Sequence, residues 1–376
     1  MNKITHAKVI ITLMVILIVV SLSGCQTPED NTIKIGFIGP LTGPVSAIGI
    51  PTLESIELSI DQINENGGIK GRRLQLIVED GACNPKLALT AANKLIYDNN
   101  VSVIINGVCS SSMLAMAPLT EENKVILISP IAASPDITNA GDYVFRLSSS
   151  SVYFAKQAAK LANILGYKKI GVIYENNAYT IGMRDEFERS LNALDGEVIV
   201  SEIYESTDQD IRTQIIKVAA KEPDAILVVP LSAPKAVLIA TQIKELGIDL
   251  PILGGETYDL NYVLKNGGSA VDGIKYASYG RSDNDKDFMY YKSSFKAKYG
   301  KEIEDDTFGA NAYDTATIIA EAMQLCEENT DCIRDYLYSV KDWKGASGKI
   351  SIDENGDVLR EFMFYELKNG KRNIIG

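Results

Sequence analysis

From Ile33 onward the chain alternates short runs of apolar, β-branched residues with longer stretches in which apolar residues recur at helical spacing. Ile33–Gly39, Leu74–Val78, Val103–Ile105 and Val125–Ile128 read as buried strands, and Thr52–Glu65, Leu87–Tyr97 and Met113–Glu122 between them as amphipathic helices. After Arg146–Ser150 the alternation restarts. Helices are expected at Val152–Leu165, Ile181–Leu194, Ile211–Lys221 and Lys235–Leu246, with strands at Lys169–Tyr174, Val198–Tyr204, Ala225–Val229 and Pro251–Leu253. Such alternation implies βαβ units and parallel sheets covered on both faces, so the fold class is α/β, built as two successive halves. After Tyr279 the pattern changes to three helical runs, Lys286–Tyr299, Gly309–Cys326 and Ile333–Val340. A short β-rich tail follows, with Lys349–Ile352 and Glu361–Leu367 joined through Asn355-Gly356.

The 376 residues carry a formal net charge of −12 and no Lys/Arg-rich run, which argues against a nucleic-acid partner. The N-terminus differs from the rest. Lys3 and Lys8 precede the apolar run Val9–Val20, and Leu22-Ser23-Gly24-Cys25 follows. This is the build of a secretory signal, too short for a spanning helix. Leu-Ser-Gly-Cys resembles a lipoprotein signal, in which Cys25 becomes lipidated and first in the mature chain. Residues 1–24 are therefore expected to be a signal peptide and 25–32 a polar tether. Outside the cytoplasm the remaining cysteines, Cys83, Cys109, Cys326 and Cys332, fall into two pairs better suited to disulfides than to metal. Linking the first pair would stabilise the fold by ~3.5 kcal/mol in the chain-entropy model.

The only histidine, His6, lies in the signal, so the mature chain has none for Ser-His-Asp or Cys-His catalysis or for His-centred metal sites. Phosphate-binding, nucleophile-elbow and dinucleotide motifs are absent, and prolines interrupt the first strand–helix turn at Gly39-Pro40-Leu41-Thr42-Gly43-Pro44. No cofactor, metal or catalytic residue is expected. What the chain offers is polar groups at the C-terminal ends of strands, where open α/β sheets bind ligands. The first half supplies Ser110 and the backbone of Ala132 and Ala133, and the second supplies Tyr179 and Glu256. Ile48 and Phe308 offer apolar surface. Each of these also has an ordinary structural role open to it, as helix cap, turn residue or core side chain.

Several stretches together resemble the extracellular solute-binding proteins of branched-chain amino-acid ABC transporters, the leucine/isoleucine/valine-binding type. They are Ile33–Gly43, Asn66–Gly71, Glu79–Pro85, Cys109–Ser112 and Ser129–Pro135. The resemblance implies two Rossmann-like lobes joined by three crossings near Ser149, Tyr279 and Gly345, closing on ligand. Lobe 1 would comprise 33–148 plus 281–344 and lobe 2 would comprise 149–280 plus 345–376. It also implies that Ser110 and the backbone around Ala132 and Ala133 hold an amino acid's charged head, that Tyr179 and Glu256 reach it from the other lobe, and that Cys83 pairs with Cys109 beside the site. Two residues depart from the family: Ala133 stands where threonine is usual, and Ile48 where an aromatic is common. The expected function is capture of a branched-chain or other apolar amino acid by a lipid-anchored, monomeric, extracytoplasmic subunit that delivers it to ABC permease subunits. The same fold binding an amide, urea or aromatic acid, or acting as a ligand sensor, stays open on the sequence.

Overall fold

The computed structural model describes residues 32–43, 45–280, 285–303 and 305–375. The signal segment with His6, Cys25 and the tether to residue 31 lie outside the described residues, as does the expected boundary at residue 281. In the first half, strands β1 (Thr32–Gly39), β2 (Arg73–Asp80), β3 (Val103–Asn106), β4 (Ile126–Ser129) and β5 (Val144–Arg146) form a sheet in the order β2-β1-β3-β4-β5. The β1–β3, β3–β4 and β4–β5 registers are parallel. Helices α1 (Ser46–Glu65), α2 (Pro85–Asn93) and α3 (Ser110–Glu122) connect these strands. Side chains alternate across the sheet as a two-residue period requires. Ile35, Phe37, Val103, Ile105, Ile126 and Ile128 enter one core, whereas Ile38, Ile104 and Leu127 enter another with Ala88, Met113 and Met116. Helix α1 starts six residues earlier than expected, because Pro51 sits inside it instead of before it.

In the second half, α4 (Ser151–Ile164), α5 (Ala178–Asn192), α6 (Arg212–Ala219), α7 (Ala233–Glu245) and the short α8 (Asn261–Asn266) accompany β6 (Lys169–Glu175), β7 (Glu197–Tyr204), β8 (Ala225–Val229), β9 (Ile252–Gly254) and β10 (Lys275–Tyr279). Every residue of β8 is buried, which fits its interior place in the sheet. Helices α9 (Lys286–Tyr299), α10 (Asp306–Cys326) and α11 (Thr330–Ser339) return to the first half. There Ala312, Ala316, Ile319, Met323, Ile333 and Leu337 pack into the core that holds Ile35 and Phe37.

The tail differs from the expected hairpin. Strands β11 (Trp343–Gly345), β12 (Gly348–Ile352) and β13 (Val358–Leu359) make a small antiparallel sheet, in which Asn355-Gly356 joins β12 to β13. Ile350, Ile352 and Val358 are buried with the first-half core, so residues 345–359 pack with the first half and not the second. Only then does the chain add β14 (Phe362–Lys368), antiparallel to β10, and β15 (Lys371–Ile374). The physical reason is alternation: Phe364 serves one face of the second sheet, while Tyr365 and Leu367 serve the other. The second sheet therefore runs β15-β14-β10-β9-β8-β6-β7. The two halves come close at Gly182 of α5, where a Cβ would lie 2.9 Å from Cδ of Pro135, in the loop after β4.

Candidate functional site

Two strand ends in the first half build one wall. Cys109, bonded to Cys83 with Cα atoms 5.5 Å apart, precedes the first residue of α3. No side chain caps that 13-residue helix. The N–H groups of its first turn, Ser110 to Ser112, therefore have no partner within the helix, and the helix dipole makes this end attractive to an anion. The loop after β4 is arranged differently. The N–H groups of Ile131 and Ala132 donate to Ser129 Oγ at 3.3 and 3.0 Å, and those of Ala133 and Ser134 donate to Ser110 Oγ at 3.2 Å each. Three loop carbonyls are also engaged: Pro130 by Asn311 Nδ2 at 3.1 Å, Ala133 by the Ser151 N–H at 2.8 Å and Ser134 by Arg146 Nη1 at 2.7 Å. No described residue donates to the Ala132 carbonyl. Thus Ala132 and Ala133 do not offer free N–H groups; they offer the Ala132 carbonyl and methyl surface. Ser110, with its oxygen accepting twice, keeps its own O–H to donate.

The opposite wall is made of side chains. Tyr179 stands in the first turn of α5, whose N-cap Asn177 accepts from the Thr180 N–H at 3.1 Å. Glu256 follows β9 and Gly255, at the start of a 3₁₀ turn tied down by Thr257 Oγ1 donating to the Pro230 carbonyl at 2.8 Å. The Tyr179 hydroxyl donates to Glu256 Oε1, and Oε2 is buried with no hydrogen-bond partner. Burial pushes the Glu256 carboxyl up to about 7, against the lowering effect of the Tyr179 bond. Burial and the facing carboxylate raise the Tyr179 phenol well above its ordinary value.

These walls enclose a cavity of about 280 Å³. Ser110, Ala132, Ala133, Tyr179, Glu256, Ile48 and Phe308 all line it, so the structure brings together every ligand-site residue expected from the sequence. Phe308 arrives at the start of α10, where Asp305 caps the helix by accepting from the Thr307 and Phe308 N–H groups at 3.1 and 3.0 Å. Glu256 is the one charged side chain among the described lining residues. Sequence reasoning missed Val45, Val108, Ile131, Leu231 and Leu260, which supply most of the apolar wall. Leu231 had a usable signal, since it follows the C-terminal end of β8 just as Glu256 follows β9. The second cysteine pair, Cys326–Cys332, is bonded between α10 and α11, away from this lining.

Comparison with known proteins places this arrangement in context. The family model for periplasmic binding proteins matches residues 32–372. A Leu/Ile/Val-binding protein of Rhizobium johnstonii is 27% identical over 345 residues, covering 90% of this chain and 92% of its own. The crystal structure of a leucine-binding protein from Thermotoga maritima superposes with a TM-score of 0.81 at 28% identity, covering 92% of this chain and 98% of that one. A branched-chain amino-acid transporter substrate-binding protein from Streptococcus pneumoniae, solved with isoleucine, gives 0.80 at 25% identity, covering 92% and 99%.

Proposed function

The chain belongs to the periplasmic binding protein family, and from that premise we propose that it is the extracytoplasmic solute-binding subunit of an ABC importer, capturing a branched-chain or other apolar amino acid. The single observation that carries this is the polarity of the cavity. The lining combines an uncapped helix start, a buried carboxylate oxygen without a partner, and apolar side chains. A zwitterion with an apolar side chain satisfies all three at once: its carboxylate meets the α3 N–H groups and the Ser110 hydroxyl, and its ammonium meets Glu256 and the Ala132 carbonyl. An aromatic acid without a donor group leaves Glu256 Oε2 unpaired, a costly state in a closed site, and a neutral amide can donate to it but brings no charge to match it.

Ligand capture then works by bringing the Tyr179–Glu256 wall onto the Ser110–Ala133 wall, as hinge-bending α/β proteins do. The subunit acts as a monomeric carrier, held to the outer face of the membrane through Cys25, without catalysis or cofactor, and hands its ligand to permease subunits. Two measurements test this. Mass spectrometry of ligand released from denatured, freshly purified protein should find an apolar amino acid, and a different bound molecule would overturn the assignment. Small-angle scattering should show a smaller radius of gyration with saturating leucine. An unchanged radius beside calorimetrically proven binding would sink closure.

A further inference from the structure

Residues outside the cavity lining connect the region between the halves to the loop that lines the cavity. Leu359 still belongs to the small sheet packed on the first half and Phe362 to the second-half sheet, so the chain crosses at Arg360 and Glu361. There the Glu361 carbonyl accepts from the Gly280 N–H at 2.9 Å, next to the end of β10. The Arg360 guanidinium meets every passage between the halves. Nη2 donates to the Leu147 carbonyl at 3.0 Å, just before the first passage at Ser148-Ser149. Its plane lies over the Tyr279 ring, 4.8 Å from the centroid, at the second passage. Arg360 itself stands in the third passage, and its Nη1 donates to the Ser347 carbonyl at 2.7 Å, in the turn between β11 and β12. Tyr279 ties two of these together, because its hydroxyl accepts from the Ser149 N–H at 2.8 Å.

One more bond leads inward. Arg360 Nη2 donates to Asn311 Oδ1 at 3.0 Å, and Asn311, fully buried in α10, donates through Nδ2 to the Pro130 carbonyl at 3.1 Å. Pro130 is the residue before Ile131, Ala132 and Ala133. A planar guanidinium with several donors in a fixed fork can hold such partners at once, and a lysine ammonium cannot. Asn311 uses its oxygen on the hinge side and its nitrogen on the ligand side. Displacing Arg360 therefore withdraws the partner that orients the Asn311 amide, and with it the bond that fixes the Pro130 carbonyl.

We propose that Arg360 is a positioning residue that couples the hinge between the halves to the ligand loop 130–134, acting through Asn311 on the Pro130 carbonyl. Its effect on affinity rests on the solute-binding function above, whereas its effect on the loop does not. In ligand-free protein, Arg360→Met should speed amide hydrogen exchange at Ala132, Ala133 and Ser134 by about 2- to 30-fold, the range of measured coupling energies, while Ile104, Ile105, Leu127 and Ile128 exchange as in the wild type. Arg360→Lys, which keeps the charge over Tyr279 but not the fork, should restore little of the protection. The same variants should bind leucine about 2- to 30-fold more weakly by calorimetry. Pairing Arg360→Met with Asn311→Ser should weaken binding no more than the worse single variant, because both break one path.

Unchanged exchange in the 132–134 amides overturns the coupling, and so does an equal acceleration in the strands, which marks mere loss of stability. Loop exchange that accelerates while leucine affinity stays at the wild-type value overturns the role in binding, as does a double variant whose losses multiply. If the wild type itself binds no amino acid, the solute assignment fails, and the exchange measurement still decides the coupling.

Discussion

The two walls of the cavity are made of different materials. On the first-half wall the polar groups are backbone and hydroxyl, neutral at any physiological pH, and bound to one another: Ser110 and Ser129 between them hold four consecutive N–H groups of the loop. On the second-half wall the polar groups include two ionisable side chains, Tyr179 and Glu256, whose only mutual support is one hydrogen bond, with Glu256 Oε2 left over. The loop of the first wall is held by its own serines, and the α3 N–H groups and the Ala132 carbonyl stay available. The second keeps a buried acceptor that the proposed ammonium would pair. Under the proposed function, a site divided this way would recognise shape and carboxylate on one side and test for charge on the other.

The sharpest way to break the comparison is to remove the charge. Glu256→Gln keeps the shape and should weaken an apolar amino acid by about 30- to several-thousand-fold, the usual loss when one partner of a buried charge pair is removed. A neutral amide should lose much less, since glutamine still hydrogen-bonds. Titration calorimetry separates the two, and unchanged amino-acid affinity would remove Glu256 from the site.

The rigid wall has its own test. Replacing Cys83 and Cys109 together by serine should lower stability by ~3.5 kcal/mol, on the order of ten degrees in melting temperature. Calorimetric scans of the soluble domain check this, and a melting temperature within a degree or two of the wild type contradicts it.

Acidity should act on one wall only. Burial raises Glu256 to about 7, and an ammonium pairs best with the ionised form, so affinity should rise with pH between 5 and 8 and fall by up to about tenfold per unit below 7. The stability sign runs opposite. Because the folded-state value exceeds the ordinary 4.5, the contribution of this group to ligand-free stability is full below about 4.5 and is lost as pH rises through about 7. Leucine titrations across this range check the first statement, and Glu256→Gln should flatten the profile. Near Glu256, Tyr179 stays neutral throughout and the Asp259 charge adds to the upward push.

The smallest effect belongs to Tyr179→Phe. It removes the bond that holds the Glu256 value down, so the midpoint of the affinity profile should move upward by roughly half to one pH unit, the equivalent of one ordinary hydrogen bond. A midpoint that stays put would mean that Tyr179 and Glu256 do not share a proton balance.

Much of this architecture is legible in the sequence because strand runs such as Val103–Ile105 and Ala225–Val229 are uninterrupted and their helices keep one apolar face. The gaps have identifiable causes. Strands β5, β11 and β13 have three, three and two residues, too few to show a period. Strand β10, Lys-Tyr-Ala-Ser-Tyr, mixes polar and apolar residues although it lies inside the second sheet. The π turn at Lys94–Asp98 is invisible to a 3.6-residue period. At the site, the seven residues named from the sequence sit at strand ends and helix starts, where the topology of an α/β sheet already points. The bonding of the Ala132 and Ala133 N–H groups was not legible, because it depends on where Ser110 and Ser129 aim their oxygens.

Gly182 gives the structure one more property. Pro135 is so near that a methyl group at position 182 would press on the proline ring, so under the proposed closure this contact would serve as a doorstop whose thickness is set by a single side chain. If the halves close as proposed, alanine or valine there would hold the door ajar, at the cost of pressing on Pro135 beside the loop 130–134. For anyone turning the protein into an optical reporter, position 182, outside the cavity lining, would then be a dial for operating range.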